Sequence, residues 1–505
     1  MITNLVSWEA VRMMLPELLV VLAITLGIIF DFTMSGLVRA VAIRSVSLAA
    51  VIGATLITLG YMLPIQGFID FIGMSNSPLP LQVGLMDGAF VVWPLSLIGK
   101  LIILIAVGLI ILVGRERAEF YYLLLSATLG AMFLVSTFDL VTLFVGLELL
   151  SITSYIMVAL KRQSGSATEA ALKYIVMGGI SSALILYGMS FIYGMSGSLN
   201  ILQIPAGIQM AGADAVQPLL YLSFLLIIAG IGFKIASAPF HVWAPDVYQG
   251  SNTPTTAFLA VVSKAAGFLL LFPLLFNIYY QQEGVPSDTF HLILKVIAGL
   301  AMLIGNIMAI RQSDVKRLLA YSGIANTGYL LLPLTFRITD VHLVEFFYYL
   351  IAYVIMNLGV FAVIMHLQLN NKQQDESNAS AALSTFAGLY HRAPATAIAT
   401  VVLILSLAGL PLTGGFMGKW FILFGVFQEH SYTLAAILLG TTVLSFYYYF
   451  GIIRQMFMRS GSDTDLISKR FTMQLGTWSC VAATIVLGIF PSPVFEWILK
   501  IINPQ

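Results

Sequence analysis

The chain alternates between long apolar stretches and short polar ones. About fourteen of the apolar stretches can form a helix of about 20 residues, enough to cross a hydrocarbon core of about 30 Å. They fall at 13–32, 39–62, 90–114, 119–137, 139–160, 168–195, 217–243, 254–279, 289–311, 314–336, 343–367, 394–428, 431–455 and 471–498. The longest polar insertions, 63–89, 196–216 and 368–393, are loop-sized. The pattern predicts a single polytopic, all-α integral membrane domain over residues 1–505. The first stretch is too long for a signal peptide and lacks a small-residue cleavage site.

Two stretches are interrupted. The seventh contains Gly230-Ile-Gly232-Phe-Lys234-Ile-Ala-Ser-Ala-Pro239-Phe-His241, and the twelfth contains Gly409-Leu-Pro411-Leu-Thr-Gly414-Gly415-Phe-Met-Gly418-Lys419. Proline inside a helix removes a backbone hydrogen bond, and open backbone at membrane depth survives only inside protein or beside water. The breaks lie five spans apart. If spans 4–8 and 9–13 are two five-helix units, each break falls on the fourth helix of its unit, and the odd span number turns the second unit over. Broken helices at matching positions of inverted repeats mark ion sites in transporters. The expected organisation is three N-terminal spans (1–117), a first repeat (118–280), a second repeat (288–457) and a C-terminal span (470–505).

Composition excludes a soluble enzyme. Apolar residues make up 59% of the 505 positions and charged ones only 9%, with mean hydropathy +0.96. A soluble domain carries about 25% charged residues. The net charge of +1 points to no nucleic-acid partner. Cys480 is the single cysteine, so the chain makes no internal disulfide or thiolate cluster of its own.

Charge also gives an orientation. With the loops numbered alternately, one side holds Arg39, Arg44, Arg115, Arg117, Lys161, Arg162, Arg311, Lys316, Arg317, Lys372, Arg392, Arg454, Arg459, Lys469 and Arg470. The other holds only Arg12, Arg337 and Lys500. The positive-inside rule makes the first side cytoplasmic and places both termini outside.

Inside the spans remain Lys100, Lys173, Lys234, Lys264, Lys295, Lys419 and Glu148, with Glu17, Asp31 and Glu345 near span ends. A lysine or aspartate at mid-membrane costs about 2.5–3.5 kcal/mol on insertion scales, so each needs a partner or a wet cavity. Lys173 and Lys295 lie close enough to span ends for snorkelling or a structural ion pair. Glu148, Lys264 and Lys419 are too deep for that and are candidates for transport. Glu148 sits about 13 Å along its helix from Asp139, near the midplane, where Ser151 and Ser154 offer hydroxyls. It could serve as a proton relay or as half of a static pair with a lysine. The six histidines are scattered and offer no metal or haem pair; His241, beside a break, is either part of the polar axis or interfacial. No Gly-rich phosphate loop or nucleophile elbow is present.

The motifs around these charges resemble the N subunit family of respiratory complex I, NADH–quinone oxidoreductase, the bacterial counterpart of mitochondrial subunit 2 and an antiporter-like subunit. The resemblance rests on Leu15-Pro-Glu17-Leu, Glu148-Leu-Leu-Ser-Ile-Thr-Ser-Tyr155, Glu169-Ala-Ala-Leu-Lys173-Tyr174 and Gly232-Phe-Lys234. It continues through Pro239-Phe-His241-Val-Trp243-Ala-Pro-Asp246-Val-Tyr248-Gln-Gly250, Lys316-Arg317-Leu-Leu-Ala-Tyr321-Ser322 and Ser406-Leu-Ala-Gly-Leu-Pro411. It implies a Glu148–Lys234 pair, a central Lys264 and a terminal Lys419 acting as a proton relay. His241, Lys295, Asn326 and Lys173 are accessory candidates. It also implies that FMN, iron–sulfur clusters and quinone belong to partner subunits, both membrane and peripheral, and that the chain resides in the bacterial inner membrane. Asn326 stands where relatives often have histidine, Gln249 where glutamate is frequent, and Ser251-Asn252 where Ala-Pro is common. Water or Lys295 would then link Lys264 to Lys419. The competing functions are a subunit of a multisubunit cation/proton antiporter, and a structural subunit whose buried ions only fix packing.

Overall fold

The structure is a computed structural model that describes residues 8–62, 83–85, 88–161, 164–280, 287–371, 382–459 and 471–502. Arg162, Lys372, Lys469 and Arg470, counted above among the loop cations, lie outside the described residues. The spanning helices are α1 Leu15–Thr33, α2 Gly36–Met62, α3 Pro94–Val113, α4 Ala118–Val135, α5 Leu140–Ala159, α6 Gly165–Ser196 and α7 Ala213–Lys234. A short connecting helix, α8 Trp243–Gly250, leads to α9 Thr253–Tyr280, α10 Asp288–Ala309, α11 Val315–Leu331 and α12 Asp340–Asn371. The chain ends with α13 Pro394–Ala408, α14 Gly414–Gln428, α15 Tyr432–Met458, α16 Phe471–Ile489 and α17 Pro491–Ile502. Twelve helices are long and apolar enough to span by themselves. With α11, extended by a 3₁₀ turn at Leu332–Thr335, and the α13–α14 pair, every expected span has its counterpart. Strand pairing among the described residues is confined to a small hairpin, Val83–Leu85 against Phe90–Val92.

Both interruptions are real. Helix α7 stops at Lys234 and open backbone follows, with Ala236 at φ 52°. Helix α13 stops at Ala408, and five residues intervene before α14; Gly409 adopts φ 91° and Leu412 φ 71°. Glycine reaches that first conformation without a steric penalty, whereas Ala236 and Leu412 each cost about 1–3 kcal/mol that the surroundings must offset.

A repeated joint exposes the internal symmetry. Asp139 caps α5 by accepting the Thr142 N–H at 2.8 Å, and Asp314 caps α11 by accepting the Arg317 N–H at 3.0 Å. The residue before each cap also accepts from the segment after the next helix: Ile201 N–H donates to Phe138 O at 2.7 Å, and Leu383 N–H to Ser313 O at 2.9 Å. The first joint lies on the basic-poor side and the second on the basic-rich side, so the second copy is inverted.

Helix ends sort by side as the charge alternation requires. Gly114, Arg115, Lys161, Asn252, Lys316 and Gln368 line one cavity, and Trp93, Phe138, Asn277, Leu343 and Ile502 line another at the opposite ends. Lys316, counted above among the basic residues of one side, turns inward in the first turn of α11. It is only 4% exposed, because its ammonium donates to Ser251 O at 2.7 Å.

In the middle of the bundle lie α9, buried throughout, and α12, nearly so, whereas α1, α2 and α15 are peripheral. The two central helices carry Thr255, Thr256, Ser263, Lys264, Glu345, Tyr349, Tyr353 and Asn357, all buried. Apolar side chains face outward on the rim, as they do where lipid is the solvent, and polar ones gather on the axis.

Candidate functional site

Lys234, Lys264 and Lys419 are all buried, at 5%, 1% and 5% exposure. Lys234, at the end of α7, points to α5. Its ammonium donates to Ser151 Oγ and lies 3.5 Å from Tyr155 Oη. Ser151 and Glu148 are three residues apart and share one face of α5, so lysine and carboxylate meet the same surface one turn apart. The expected Glu148–Lys234 contact is therefore not direct. Among the described residues these two come no closer than 4.0 Å, and Glu148 Oε1 is buried without a hydrogen-bond partner.

Lys264 follows a π-helical turn, Leu259–Ser263, of the kind often found at functional sites. It donates to Gly323 O at 2.7 Å and to Thr327 Oγ1 at 3.3 Å, both on α11. The Thr327 hydroxyl also lies 2.9 Å from Ile235 O, the first carbonyl of the first break. One threonine thus touches both the broken helix of the first unit and the central lysine.

Lys419 donates to Leu407 O at 3.0 Å and Ala408 O at 3.3 Å. These are terminal carbonyls of α13, which have no intrahelical donor. Its ammonium also lies 4.9 Å from the centre of the Tyr329 ring.

Between Lys264 and Lys419 the structure places hydroxyls. Tyr349 Oη donates to Asn326 Oδ1 at 2.5 Å, and Asn326 Nδ2 donates to Ser322 O at 2.8 Å. Ser322 Oγ bonds Tyr449 Oη. Tyr329 Oη donates to Thr441 Oγ1 at 3.1 Å and accepts from Asn306 Nδ2 at 3.3 Å. Asn306 Oδ1 accepts from Tyr448 Oη at 3.1 Å. These tyrosines come from α11, α12 and α15 and are all buried. Tyrosine hydroxyls, given no role by the sequence reading, supply the polar tips here.

Residues 137–445 match the family described as NADH:quinone oxidoreductase/Mrp antiporter, TM. The NADH-quinone oxidoreductase subunit N of a Paenibacillus species is 40% identical over 99% of this chain and 98% of its own length. The chain belongs to the subunit N family of NADH-quinone oxidoreductase. The subunit N of Brevibacillus brevis is 45% identical over 77% of this chain and 76% of that one. A chain in the respiratory complex I of Thermus thermophilus with bound aureothin superimposes with TM-score 0.77 at 28% identity, covering 95% of this chain and 98% of that one.

In this member of the subunit N family, the accessory candidates divide. Asn326 lies on the tyrosine network between the lysines. Lys295 does not bridge them: its ammonium sits 4.8 Å over the Phe336 ring, beyond the end of α11. His241 follows the first break half-buried, its Nδ1 without a hydrogen-bond partner, and Lys234 and Lys264 donate to other residues. Lys173 stands apart in a partly exposed cluster, 2.7 Å from Asp246 and 2.8 Å from Glu169, and Arg317 reaches Asp246 at 2.6 Å. Burial works against charge at Asp246, yet the Lys173 ammonium and the Arg317 guanidinium outweigh it and hold the carboxyl below its usual range. This triad ties α6, α8 and α11 together. A second pair was unassigned from sequence: Lys100 and Glu17 meet at 2.7 Å, each 1% exposed. Among the described residues no three of His, Cys, Asp and Glu converge as metal ligands would.

Proposed function

We propose that this chain is the proton-translocating membrane subunit N of an NADH-quinone oxidoreductase. In this reading it couples quinone reduction elsewhere in the complex to proton movement along Glu148, Lys234, Lys264 and Lys419. The observation that carries it is the line of three buried lysines at the two helix breaks and between them. An ammonium held by neutral oxygens can pass a proton on without stranding an unpaired carboxylate, and tyrosine, threonine and water can carry it across the gaps. Thr327 would transmit movement at the first break to Lys264, and Asn326 with Tyr349 and Tyr449 would connect Lys264 to Lys419.

FMN, iron–sulfur clusters and quinone would be held by partner subunits, membrane and peripheral. The basic-rich side would face the cytoplasm of a bacterial cell, with both termini outside. The test is NADH-driven quinone reduction and proton uptake by the whole complex in vesicles. Lys264→Ala should lower both by about 100-fold, within the range for removal of a proton-transfer group, at an unchanged amount of assembled complex. Cation/proton exchange without NADH would instead favour the antiporter reading.

A further inference from the structure

Glu345 is absent from the relay above, yet it is the most enclosed carboxylate near Lys419. It lies on α12 at 2% exposure, and no Lys, Arg or His nitrogen comes within 4.0 Å of it among the described residues. Its carboxylate fills the notch left by Gly425 on α14, where an added Cβ would run into both carboxylate oxygens. An ionised carboxylate in such a place has lost its water without gaining a cation, which is costly to maintain for packing alone.

Its neighbours form a ladder. On α12, His342, Glu345, Tyr349 and Tyr353 follow at spacings of three and four residues, so they share one face. On α14, Gly418 and Gly425 lie seven residues, about two turns, apart, and Glu429 follows four residues later at the helix C-cap, so these three also share one face. Tyr349 packs on Gly418, beside Lys419, and holds Asn326. Glu429 is 39% exposed, and its Oε1 stands 3.9 Å from His342 Nε2. Glu345 thus occupies the step between the Tyr349–Lys419 level and the Glu429–His342 surface, about 6 Å along α12 from Tyr349 at 1.5 Å per residue. Both helix ends open on the basic-poor side.

We propose that Glu345 is the outlet of the relay. Its carboxylate takes the proton from the Lys419 ammonium, by way of the Tyr349 hydroxyl or water, and becomes the neutral acid. It then gives the proton to Glu429 at the basic-poor surface, with His342 orienting that carboxylate. No electron moves, and each step breaks one O–H or N–H bond while forming another. The proposal rests on the relay reading above.

The test uses the whole complex in vesicles, with Lys419→Ala as the internal reference. Glu345→Gln should assemble in wild-type amount and lose proton uptake by at least about ten-fold, whereas Glu345→Asp should recover part of it. Gly425→Ala, which displaces the carboxylate while leaving its charge intact, should fall between them. Dicyclohexylcarbodiimide, which attacks protonated carboxyls in apolar sites, should label the Glu345 peptide and inhibit the wild type. A merely structural glutamate would not give turnover-dependent labelling. Normal pumping by Glu345→Gln beside an inactive Lys419→Ala would overturn the outlet and leave the relay standing. Normal pumping by both would overturn the relay itself. Should Glu345→Gln not assemble, wild-type pumping by Gly425→Ala would overturn the outlet equally.

Discussion

The two broken helices solve one problem in different ways. At the first break the lysine belongs to the helix before the gap, and it is answered by side chains of another helix: Ser151, Tyr155 and, a turn away, Glu148. At the second the lysine belongs to the helix after the gap. It is answered by backbone, the carbonyl oxygens of Leu407 and Ala408. A helix C-terminus carries roughly −0.5 of an elementary charge that no proton can remove, whereas a carboxylate can gain or lose its charge. The first site is therefore adjustable by ionisation, and the second is fixed by geometry. An input that responds to events elsewhere and an end station with a constant bias would differ in this way.

The largest expected effect breaks the comparison at its adjustable end. Glu148→Gln and Lys234→Met should each assemble yet lower quinone reduction and proton uptake by about 100-fold, and the double variant should recover neither. A static pair behaves oppositely: losing one partner costs about 3–5 kcal/mol of stability, and removing both largely restores it. Rates and the amount of assembled complex, measured together, separate the two. A smaller effect is expected at the fixed end. Lys419→Ala should reduce pumping by about ten-fold or more, and Lys419→Arg should retain only part of it, because it keeps the charge beside the backbone carbonyls but not a readily shifted pKa.

The smallest effect concerns the triad that joins the two units. Asp246→Asn should leave turnover within about two-fold and cost about 1 kcal/mol or less, the range for partly exposed ion pairs. Because the folded carboxyl lies below its usual range, its contribution is present above about pH 4. It fades as the pH falls through the lower folded value. Thermal unfolding of wild type and variant should therefore differ at neutral pH and converge in acid.

Much of this was legible in the sequence because the signals are local. Apolar runs of membrane length, Gly and Pro interruptions, and single charges within apolar runs located all the spans, both breaks, Glu148, Lys234, Lys264 and Lys419. What escaped depends on distant partners. Tyr449 is 127 residues from Ser322 and Tyr448 is 142 from Asn306, so nothing local distinguishes a network tyrosine from a packing one. The runs Phe346-Phe-Tyr348-Tyr349 and Phe446-Tyr-Tyr448-Tyr449, hydroxyl-bearing in otherwise apolar helices, were the available hint. Lys316 looked like a loop cation because its inward turn depends on the position of Ser251. Glu345 looked like a span-end residue because its depth is set by the Gly425 notch on another helix.

The Glu17–Lys100 pair bears on how the chain is made. The acid is in α1 and its partner is in α3, 83 residues later. At about 5–20 residues per second a ribosome needs roughly 4 to 17 seconds to span that distance. Throughout that interval α1 presents a carboxyl with no counter-charge, so it cannot settle among lipid chains as an ionised helix. It has to wait at the insertion machinery, or enter protonated, until α3 arrives. On that account the three N-terminal helices would leave as a unit, and losing Lys100 would strand the first of them during biogenesis, before any proton is moved.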